Sequence, residues 1–363
     1  MPPTSQPLPL YVAITNHGFG HAARLASVVA ALQRQLPQVL PILVTGAPRW
    51  LLESYLEGDF IYRPQALDVG VVQQDSLQMD FGATLEKWQQ IRKRQTQLIR
   101  AEVDFMIQNQ VKLVLADIPP LAPLIARAAG IPCWMIGNFG WDFIYRPWGG
   151  EFIELADWIG DCFSQCDRLF RLPFHEPMPA FPVITDVGLS GASPRYTAAE
   201  LRQRLSLWAD PEKIVLLSFG GLGLQTIPYG NLAAFPDWQF LSFDAQAPDL
   251  PNLVKFSGQD YRPVDLMPCC GRVITKPGYS TFAEALRLDL PIVTLTRSGF
   301  AETPLLLEGI QNHSYHQILQ PEAFFSDRWD FLHQPLQTPQ RSEPLDKTGT
   351  ETIAAAVASY LSP

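Results

Sequence analysis

Short apolar segments alternate with helix-like segments along most of this chain, and this alternation limits the folds that it can adopt. The strand-like runs of the first half are residues 10–15, 39–45, 113–116 and 132–136. Segments with the apolar spacing of amphipathic helices lie between them, at residues 22–36, 85–108 and 120–129. Strands that are apolar on both faces indicate a parallel sheet that helices cover on both sides.

The same pattern starts again in the second half of the chain. Its strand-like runs are residues 213–219, 240–243, 253–256, 272–275 and 291–295, and its helix-like segments are 281–288 and 348–361. A length of 363 residues suits two domains, and the proline-rich residues 172–193 are typical of a linker. We therefore expect an α/β protein with two Rossmann-like domains that face each other across a cleft. The expected domains are residues 1–185 and 186–345, with a helix in residues 346–363 that packs back on the N-terminal domain.

Charge and composition exclude several classes of function. The net charge is −9 and the pI is about 5.2, so the basic surface of a nucleic-acid-binding protein is not expected. The basic run Arg92, Lys93 and Arg94 is interpreted as a solvated helix face. No secretory signal and no run of ~20 apolar residues is recognised, and five cysteines without a C-x-x-C pair are typical of reduced thiols. A cytoplasmic protein without a transmembrane segment is expected.

The loop after the first strand, NHGFGH, holds two histidines and two glycines. Glycines allow a sharp turn and a close approach to a ligand, and the following helix start can bind an anion. His17 or His21 can act as a general base near neutral pH. The alternative is a tight turn with incidental histidines. We expect no metal site, because glycines separate this pair and no Asp-x-Asp motif occurs in the chain.

A second stretch in the first half, NFGWDFIYRPW, combines aromatic side chains with an acid. Asp142 lies among Trp141, Tyr145 and other rings, and sugars stack on aromatic rings. Asp117 ends the preceding strand in LADIPP. Both aspartates are candidate bases, but the aromatic stretch could equally be core packing, and Asp117 could be a helix N-cap.

In the second half, the candidate residues follow two strands. Gly220 and Gly221 follow the strand KIVLLSF, where open parallel sheets bind ligands. In TKPGYSTFAEAL, a small polar turn leads into a helix, which suits a phosphate. Ser280 or Thr281 could instead be the helix cap. Glu284 could accept hydrogen bonds from ribose hydroxyls or complete a capping box.

Four stretches together resemble one family: NHGFGHAAR, VKLVLADIPP, NFGWDFIY and ITKPGYSTFAEALRLDLPIVTLTRSGFAETP. They resemble glycosyltransferases of the two-Rossmann (GT-B) type. In more detail they are similar to the glycosyltransferase-like N-terminal half of L-arabinokinases and related bacterial proteins, and RLPFHEPMPAF is similar to that family's linker. NFGWDFIY and GYSTFAEAL are the specific motifs. No Ser/Gly-rich kinase phosphate loop occurs in the sequence, so kinase activity is not expected.

The resemblance implies that the C-terminal half binds a nucleotide sugar, with uridine or guanosine as the base. The donor-binding residues would be Gly220, Gly221, Lys276, Gly278, Ser280, Thr281, Glu284 and Glu302. The N-terminal half would bind a small-molecule or lipid-linked acceptor. Its acceptor-binding residues would be Phe19, Asn138, Trp141 and Tyr145.

The predicted reaction is a metal-independent, inverting sugar transfer that uses no cofactor besides the nucleotide-sugar co-substrate. Among the candidate bases His17, His21, Asp117 and Asp142, we favour His17, with His21 in positioning or phosphate contact and Asp142 as the main rival. A non-catalytic sugar or nucleotide-sugar binding module and a sugar-nucleotide epimerase remain the alternatives.

Overall fold

The computed structural model describes residues 6–73, 79–221, 223–224, 226–256, 260–326 and 328–362. The chain divides into two compact units. Of the described residues, the first unit contains 6–73, 79–191 and those from 346 onward, and the second contains those between 192 and 345. Each unit is built around one parallel sheet, as the apolar strand pattern predicts.

The first unit has a seven-stranded parallel sheet within the described residues. The strands are β1 (Leu8–Ile14), β2 (Val39–Val44), β3 (Ile61–Arg63), β4 (Val114–Asp117), β5 (Cys133–Gly137), β6 (Arg168–Arg171) and β7 (Ile184–Asp186). Their order across the sheet is β3-β2-β1-β4-β5-β6-β7. The central strands β4 and β5 are buried along their whole length, because helices cover both faces of the sheet.

Helices connect these strands. They are α1 (Gly20–Gln35), α2 (Arg49–Glu53), α3 (Phe81–Gln108), α4 (Leu121–Ala129), α5 (Trp141–Tyr145) and α6 (Glu151–Phe163). Helix α3 begins at a defined cap, since the Asp80 side chain accepts a hydrogen bond from the Ala83 N–H at 2.9 Å. Helix α1 follows the first loop directly and buries most of its length against the sheet.

The second unit repeats this architecture with a six-stranded parallel sheet in the part of the chain that is described. Its strands are β8 (Ile214–Ser218), β9 (Gln239–Ser242), β10 (Leu253–Lys255), β11 (Arg272–Thr275), β12 (Ile292–Leu295) and β13 (His316–Leu319), in the order β10-β9-β8-β11-β12-β13. Its helices are α7 (Ala198–Arg204), α8 (Pro263–Leu266), α9 (Tyr279–Arg287), α10 (Glu302–His313) and α11 (Pro321–Phe325).

The last helix, α12 (Gly349–Leu361), belongs to the first unit and packs along α1. The segment before the second unit fixes the start of this helix. The Leu189 N–H donates to the Asp346 carbonyl at 2.7 Å, and the Gly191 N–H donates to Thr350 Oγ1 at 2.9 Å. The chain therefore returns to the first unit after completing the second.

The strands predicted from continuous apolar runs are all present, with ends that shift by one or two residues. The sequence did not indicate β3, β6, β7 and β13. Strands β3 and β7 are short edge strands whose residues are partly exposed, so they lack a continuous apolar run. Because β7 lies within residues 172–193, the segment predicted as a linker contributes a strand to the first unit.

Within the described ranges, the helices are all too short or too polar to cross a membrane. The five cysteines all fall in described ranges and form no disulfide.

Candidate active site

Both sheets reverse their strand order at one point, and most of the predicted site residues lie near these two points. In the first unit the reversal lies between β1 and β4, and in the second it lies between β8 and β11. Loops that follow neighbouring strands diverge at such a point and leave a crevice at the carboxyl ends of the strands, where open α/β sheets bind ligands. Parallel pairing brings Ile14 beside Asp117 and Ser218 beside Thr275.

At the first reversal, His21, Asp117 and Arg24 form a buried network. His21 Nδ1 lies 2.7 Å from Asp117 Oδ1, and Asp117 is fully buried. Arg24 binds both oxygens of the same carboxylate, through Nε at 2.8 Å and Nη2 at 2.7 Å. Its Nη1 also donates to Asn138 Oδ1 at 3.0 Å. Residues from β4, α1 and the loop after β5 are thereby tied together at one edge of the sheet.

This network favours one tautomer of His21. Burial opposes ionisation of Asp117, but the charge of Arg24 and the contact with His21 outweigh it and lower the pKa of the carboxyl below its usual value. An ionised carboxylate can only accept hydrogen bonds, and its 2.7 Å contact with His21 Nδ1 is shorter than the 3.1 Å contact between Arg24 Nη2 and the same nitrogen, so the tautomer with its proton on Nδ1 fits best. In the neutral ring Nε2 is then the basic nitrogen, and within the described part of the chain it has no hydrogen-bond partner.

His17 has different surroundings. The Val71 N–H donates to His17 Nδ1 at 3.1 Å, and the Val71 carbonyl lies 3.3 Å from the same nitrogen. Accepting the N–H bond leaves the proton of the neutral ring on Nε2. Gly70 lies against this ring with a φ of +61°, and a Cβ there would be 2.4 Å from the His17 Cβ. A glycine is therefore required for His17 to lie close to this backbone.

Trp141 packs beneath both histidines. Its ring centroid lies 5.2 Å from that of His17 and 6.1 Å from that of His21. The indole N–H is satisfied inside the unit, since it donates to Thr15 Oγ1 at 2.9 Å and to Asp68 Oδ2 at 3.1 Å. Thr15 also donates to Asp68. Burial raises the pKa of Asp68 to about 7, although these bonds oppose the rise.

The other predicted acceptor residues lie at different depths. Tyr145 is fully buried, and its hydroxyl accepts from Trp88 Nε1 at 2.8 Å. Asn138 is also fully buried and is bound by Arg24. Phe19 lies higher in the loop, half-buried, with its ring 5.5 Å from that of the exposed Trp50. Of the four predicted acceptor residues, Phe19 is the one with an accessible surface. The other three, Asn138, Trp141 and Tyr145, are fully buried and pack under the loop that carries the histidines.

Asp142 lies in the first turn of α5, near a second carboxyl group, that of Glu176. Burial raises the pKa of Asp142, and its Oδ1 is buried without a hydrogen-bond partner among the described residues. Glu176 accepts from the Met178 N–H at 2.6 Å and from the Gly140 N–H at 3.2 Å. Burial, together with the nearby charge of Asp142, raises the pKa of Glu176 to about 7. These two acids thus repel each other when both are ionised.

At the second reversal, two loops meet. Gly220 and Gly221 follow β8, and Lys276 follows β11. The backbone of Gly220 has a φ of +76°, and a Cβ placed there would lie 3.6 Å from Lys276 Cε. The lysine side chain therefore passes directly beside the glycine turn. The glycine is needed because side chains rarely tolerate this left-handed backbone.

The predicted phosphate contacts lie at the start of α9. Gly278 is the N-cap of this helix, so Ser280 and Thr281 stand inside its first turn and neither of them is the cap. The first N–H groups of a helix have no partner within the helix and carry a partial positive charge. Together with the two hydroxyls, this turn has the chemistry of an anion site.

Glu284 lies one turn further along α9 and is 5% exposed. Its Oε1 accepts a long hydrogen bond of 3.4 Å from the Ala192 N–H. Because burial outweighs the favourable charge of Arg262, the pKa of Glu284 rises to about 7. Glu284 is not at the N3 position of the helix, so the capping-box alternative does not apply. Glu302 starts α10 in the loop region after β12 and is also buried.

Several polar residues near these points were not singled out from the sequence. In the first unit they are Arg24, Asp68 and Glu176. The spacing of Arg24 from His21 places both on one face of α1, which was a usable signal. In the second unit Asp265 is fully buried between Arg195 and Arg262, with N–O distances of 2.6 Å and 2.7 Å. No group of three or more His, Cys, Asp or Glu side chains in the described ranges is arranged to hold a metal ion.

No protein-family model matches the chain. Among characterised proteins it is similar to L-arabinokinase from Arabidopsis thaliana, with 32% identity over 305 residues. The match covers 81% of this chain and 28% of the relative, so the chain spans less than a third of that protein's length.

Solved glycosyltransferases are similar in structure over almost the whole chain. Phytolacca americana UGT2, complexed with UDP-2-fluoro-glucose and pterostilbene, has a TM-score of 0.57 at 13% identity, covering 98% of this chain and 90% of that one. CalG4, the calicheamicin glycosyltransferase, has a TM-score of 0.58 at 16% identity, covering 99% and 93%. The chain therefore has the GT-B fold that its sequence predicts, and its predicted relationship to L-arabinokinase is confirmed.

Proposed function

We propose that this protein is a glycosyltransferase that moves a sugar from a uridine diphosphate donor to a hydroxyl group of an acceptor. The observation that carries the proposal is the His21–Asp117 pair at the strand reversal of the first unit. A histidine held by an ionised aspartate is the arrangement that general-base activation of a hydroxyl needs. The UDP-sugar bound to the structurally similar UGT2 supports uridine as the base.

In this proposal His21 takes the place that the sequence favoured for His17. Nε2 of His21 removes the proton from the acceptor hydroxyl while its oxygen attacks the anomeric carbon. Asp117 holds the ring through Nδ1–H and stabilises the imidazolium that forms. The Nδ1 atom of His17 faces the Val71 backbone instead. A donor role for His17 Nε2–H toward substrate oxygens fits this geometry better.

The second unit would bind the donor. As the bond between the anomeric carbon and the β-phosphate oxygen breaks, negative charge develops on the diphosphate. Lys276, the turn at Gly220 and the first turn of α9 are placed to stabilise that charge. Glu284 would accept hydrogen bonds from the two ribose hydroxyls. Direct attack by the acceptor gives inversion at the anomeric carbon, and no separate cofactor is required.

Calorimetry with the full chain tests donor binding, using UDP, GDP, dTDP and ADP and then their glucose conjugates. We expect UDP and UDP-glucose to bind, and we expect release of UDP from UDP-glucose, with water or an added hydroxyl compound accepting the glucosyl group, to depend on His21. Binding of nucleotide sugars without any release of UDP would instead indicate a binding module. Interconversion of the donor sugar without an acceptor would indicate an epimerase. Failure of every nucleotide to bind would overturn the proposal.

We further propose that this reaction needs no divalent metal. The sequence has no Asp-x-Asp motif, and Lys276 together with the α9 terminus supplies the positive charge for the leaving diphosphate. Protein treated with EDTA should keep most of its turnover of UDP-glucose. A strict requirement for Mg²⁺ or Mn²⁺ in the chemical step would contradict this assignment.

A further inference from the structure

The first unit contains a cavity of about 470 Å³ that none of the roles above uses. Its walls are the residue after Thr15, the loop that follows β3 and one face of helix α3. The volume lies within the range of roughly 300–1,000 Å³ that is usual for small-ligand sites. This cavity is lined by residues of the first unit, all of which the structure describes.

The wall formed by α3 has a regular pattern of polar groups. Lys87, Gln90, Arg94 and Gln97 follow each other at intervals of three and four residues, so they lie on one face of the helix. The four positions span about 15 Å at the usual helical rise. Cations and amides alternate along this stripe, and both can donate hydrogen bonds to a ligand rich in oxygen atoms.

The carboxylates of the cavity are already satisfied. Glu102 accepts from Tyr11 Oη at 2.9 Å and from Arg63 Nη2 at 2.6 Å. Asp68 accepts from the Asn16 N–H at 2.7 Å and from the Trp141 indole. Glu102 is therefore paired with Arg63, and neither acid forms an ion pair with the cations of α3 among the described residues.

The cations, in contrast, have no such partners. Neither Lys87 nor Arg94 has a carboxylate within ion-pair distance in the described part of the chain. The neighbouring Arg92 differs, because it points to the other side and contacts Glu154 at 3.3 Å. Lys87 and Arg94 are exposed at the cavity wall and form no ion pair in the described ranges, while the two acids are held by other groups, so the two cations can pair with a negatively charged ligand.

The cavity is linked to the catalytic pair. Asn16, which lines it, directly precedes His17. Asp68, which also lines it, binds the indole of Trp141, and that ring lies 5.2 Å from His17 and 6.1 Å from His21. A ligand in the cavity would therefore lie along the sheet edge that carries the two histidines.

We propose that this cavity binds the acceptor, and that the acceptor is an anionic polyhydroxyl compound of the sugar-phosphate or sugar-acid type. Its negative group would pair with Lys87 and Arg94, and its hydroxyls would bond to Gln90, Gln97 and Asn16. The assignment rests on the proposed transferase function, since an acceptor presupposes a transfer.

Calorimetry on the full chain without donor tests the site, with glucose 6-phosphate, glucuronate, glucose and inorganic phosphate as probes. Glucose 6-phosphate or glucuronate should bind at least tenfold more tightly than neutral glucose and than inorganic phosphate. Comparing the two charged sugars separates a phosphate from a carboxylate as the recognised group. Equal binding of glucose and of both charged sugars, or no binding of either charged sugar at millimolar concentration, would overturn the proposal.

Two double variants of the same helix locate the binding. K87A/R94A removes both cavity cations, and we expect it to weaken binding of the charged sugar at least tenfold. K93A/R100A removes two exposed cations of α3 that do not line the cavity, so it is matched in charge and should bind like the unmodified protein. Equal affinities of the two variants would contradict the assignment.

Release of UDP from UDP-glucose, measured on the same preparations, keeps the two proposals apart. Turnover that depends on His21, without binding of any charged sugar, would overturn the acceptor assignment and leave the transferase proposal standing. Binding of glucose 6-phosphate that requires Lys87 and Arg94, without turnover of any nucleotide sugar, would overturn the transferase proposal and, with it, the acceptor role of this cavity.

Discussion

The two strand reversals of this protein build their candidate sites in different ways. In the first unit, side chains that are far apart in sequence bind one another, since His21 and Arg24 on α1 meet Asp117 after a separation of more than 90 residues. In the second unit, the candidate groups are a glycine turn, a lysine and one helix terminus, and Lys276 to Glu284 form a single short motif. Replacing one buried side chain of the first site should therefore lower the stability of the fold as well as the activity. A site made mainly of backbone groups should lose less stability when one side chain is replaced.

The largest expected effect is on turnover, through His21. Replacing His21 with Ala should lower release of UDP from UDP-glucose by ~10²–10⁴-fold, the usual contribution of a general base. Affinity for UDP should be nearly unchanged, because the donor residues belong to the second unit. Initial rates and calorimetry on one preparation give both values.

His17→Ala and Asp142→Asn are the matched tests of the rival bases. Each should retain more turnover than His21→Ala, because His17 Nδ1 faces the Val71 backbone and Asp142 contacts neither histidine among the hydrogen bonds seen. A dead His17→Ala or Asp142→Asn variant that still binds UDP would transfer the role of the base to that residue.

The next effect is on stability, and it separates the two sites directly. Arg24 is only 2% exposed in the folded chain. Asp117→Ala therefore leaves its guanidinium buried without the carboxylate that it binds. Removing one partner of a buried ion pair costs about 3–5 kcal/mol. Thr281→Ala at the second site should cost about 1 kcal/mol or less, since Thr281 is neither the helix cap nor fully buried.

Urea unfolding followed by tryptophan fluorescence measures both variants. Asp117→Asn serves as a milder partner if Asp117→Ala does not fold, because the amide keeps one acceptor for Arg24. Equal losses of stability at the two sites would show that the first site is not more strongly coupled to folding than the second.

Donor affinity gives a smaller effect, at the second site. Glu284→Ala should weaken binding of UDP by about 1–3 kcal/mol, the cost of losing hydrogen bonds to a charged acceptor. Glu308→Ala is the control, because Glu308 is an exposed acid on α10. Calorimetry with UDP should give the control the affinity of the unmodified protein. If Glu284→Ala also matches it, the ribose assignment is wrong.

The local geometry of the second candidate site was easier to anticipate from sequence than that of the first, for a physical reason. The turn at Gly220 and the start of α9 are features of backbone geometry, which glycines and helix starts reveal in a short stretch of sequence. The roles at the first site depend on distant partners. That Asp117 is bound by Arg24, and that His17 faces Val71, could not be read from local pattern.

Burial was the second factor that the sequence did not reveal. NFGWDFIY was identified as a specific motif, but Trp141 and Tyr145 proved to be fully buried. An aromatic ring that stacks on a sugar and one that fills a core have the same local sequence. The same holds for strands. The continuous apolar strands were predicted, but the short edge strand β7 was not, because its residues are mostly exposed and lie in a proline-rich segment.

The smallest expected effect is the dependence of donor affinity on pH, and it sharpens the contrast between the two carboxylates. Burial raises the pKa of Glu284 to about 7, whereas Arg24 holds that of Asp117 below its usual value. Ribose hydroxyls donate to the ionised form of Glu284, so affinity for UDP-glucose should fall as the pH falls through 7. Between pH 8 and pH 6 the expected loss is about tenfold, or ~1.4 kcal/mol.

Stability of the unliganded protein should change in the opposite direction. The folded state raises the pKa values of Asp68, Glu176 and Glu284 to about 7, so it binds protons that the unfolded chain has released. Their contribution is fully present below the unfolded pKa values and is lost as the pH rises through about 7. Affinity must therefore be measured by calorimetry, since a thermal shift would combine both trends.

Glu284→Gln should remove the pH dependence of UDP-glucose binding, because a glutamine does not titrate. Asp117→Asn, in the first unit, should leave that dependence in place. If Glu284→Gln retains the full dependence on pH, then a different group titrates in the donor site, and the buried acid of α9 does not contact the ribose.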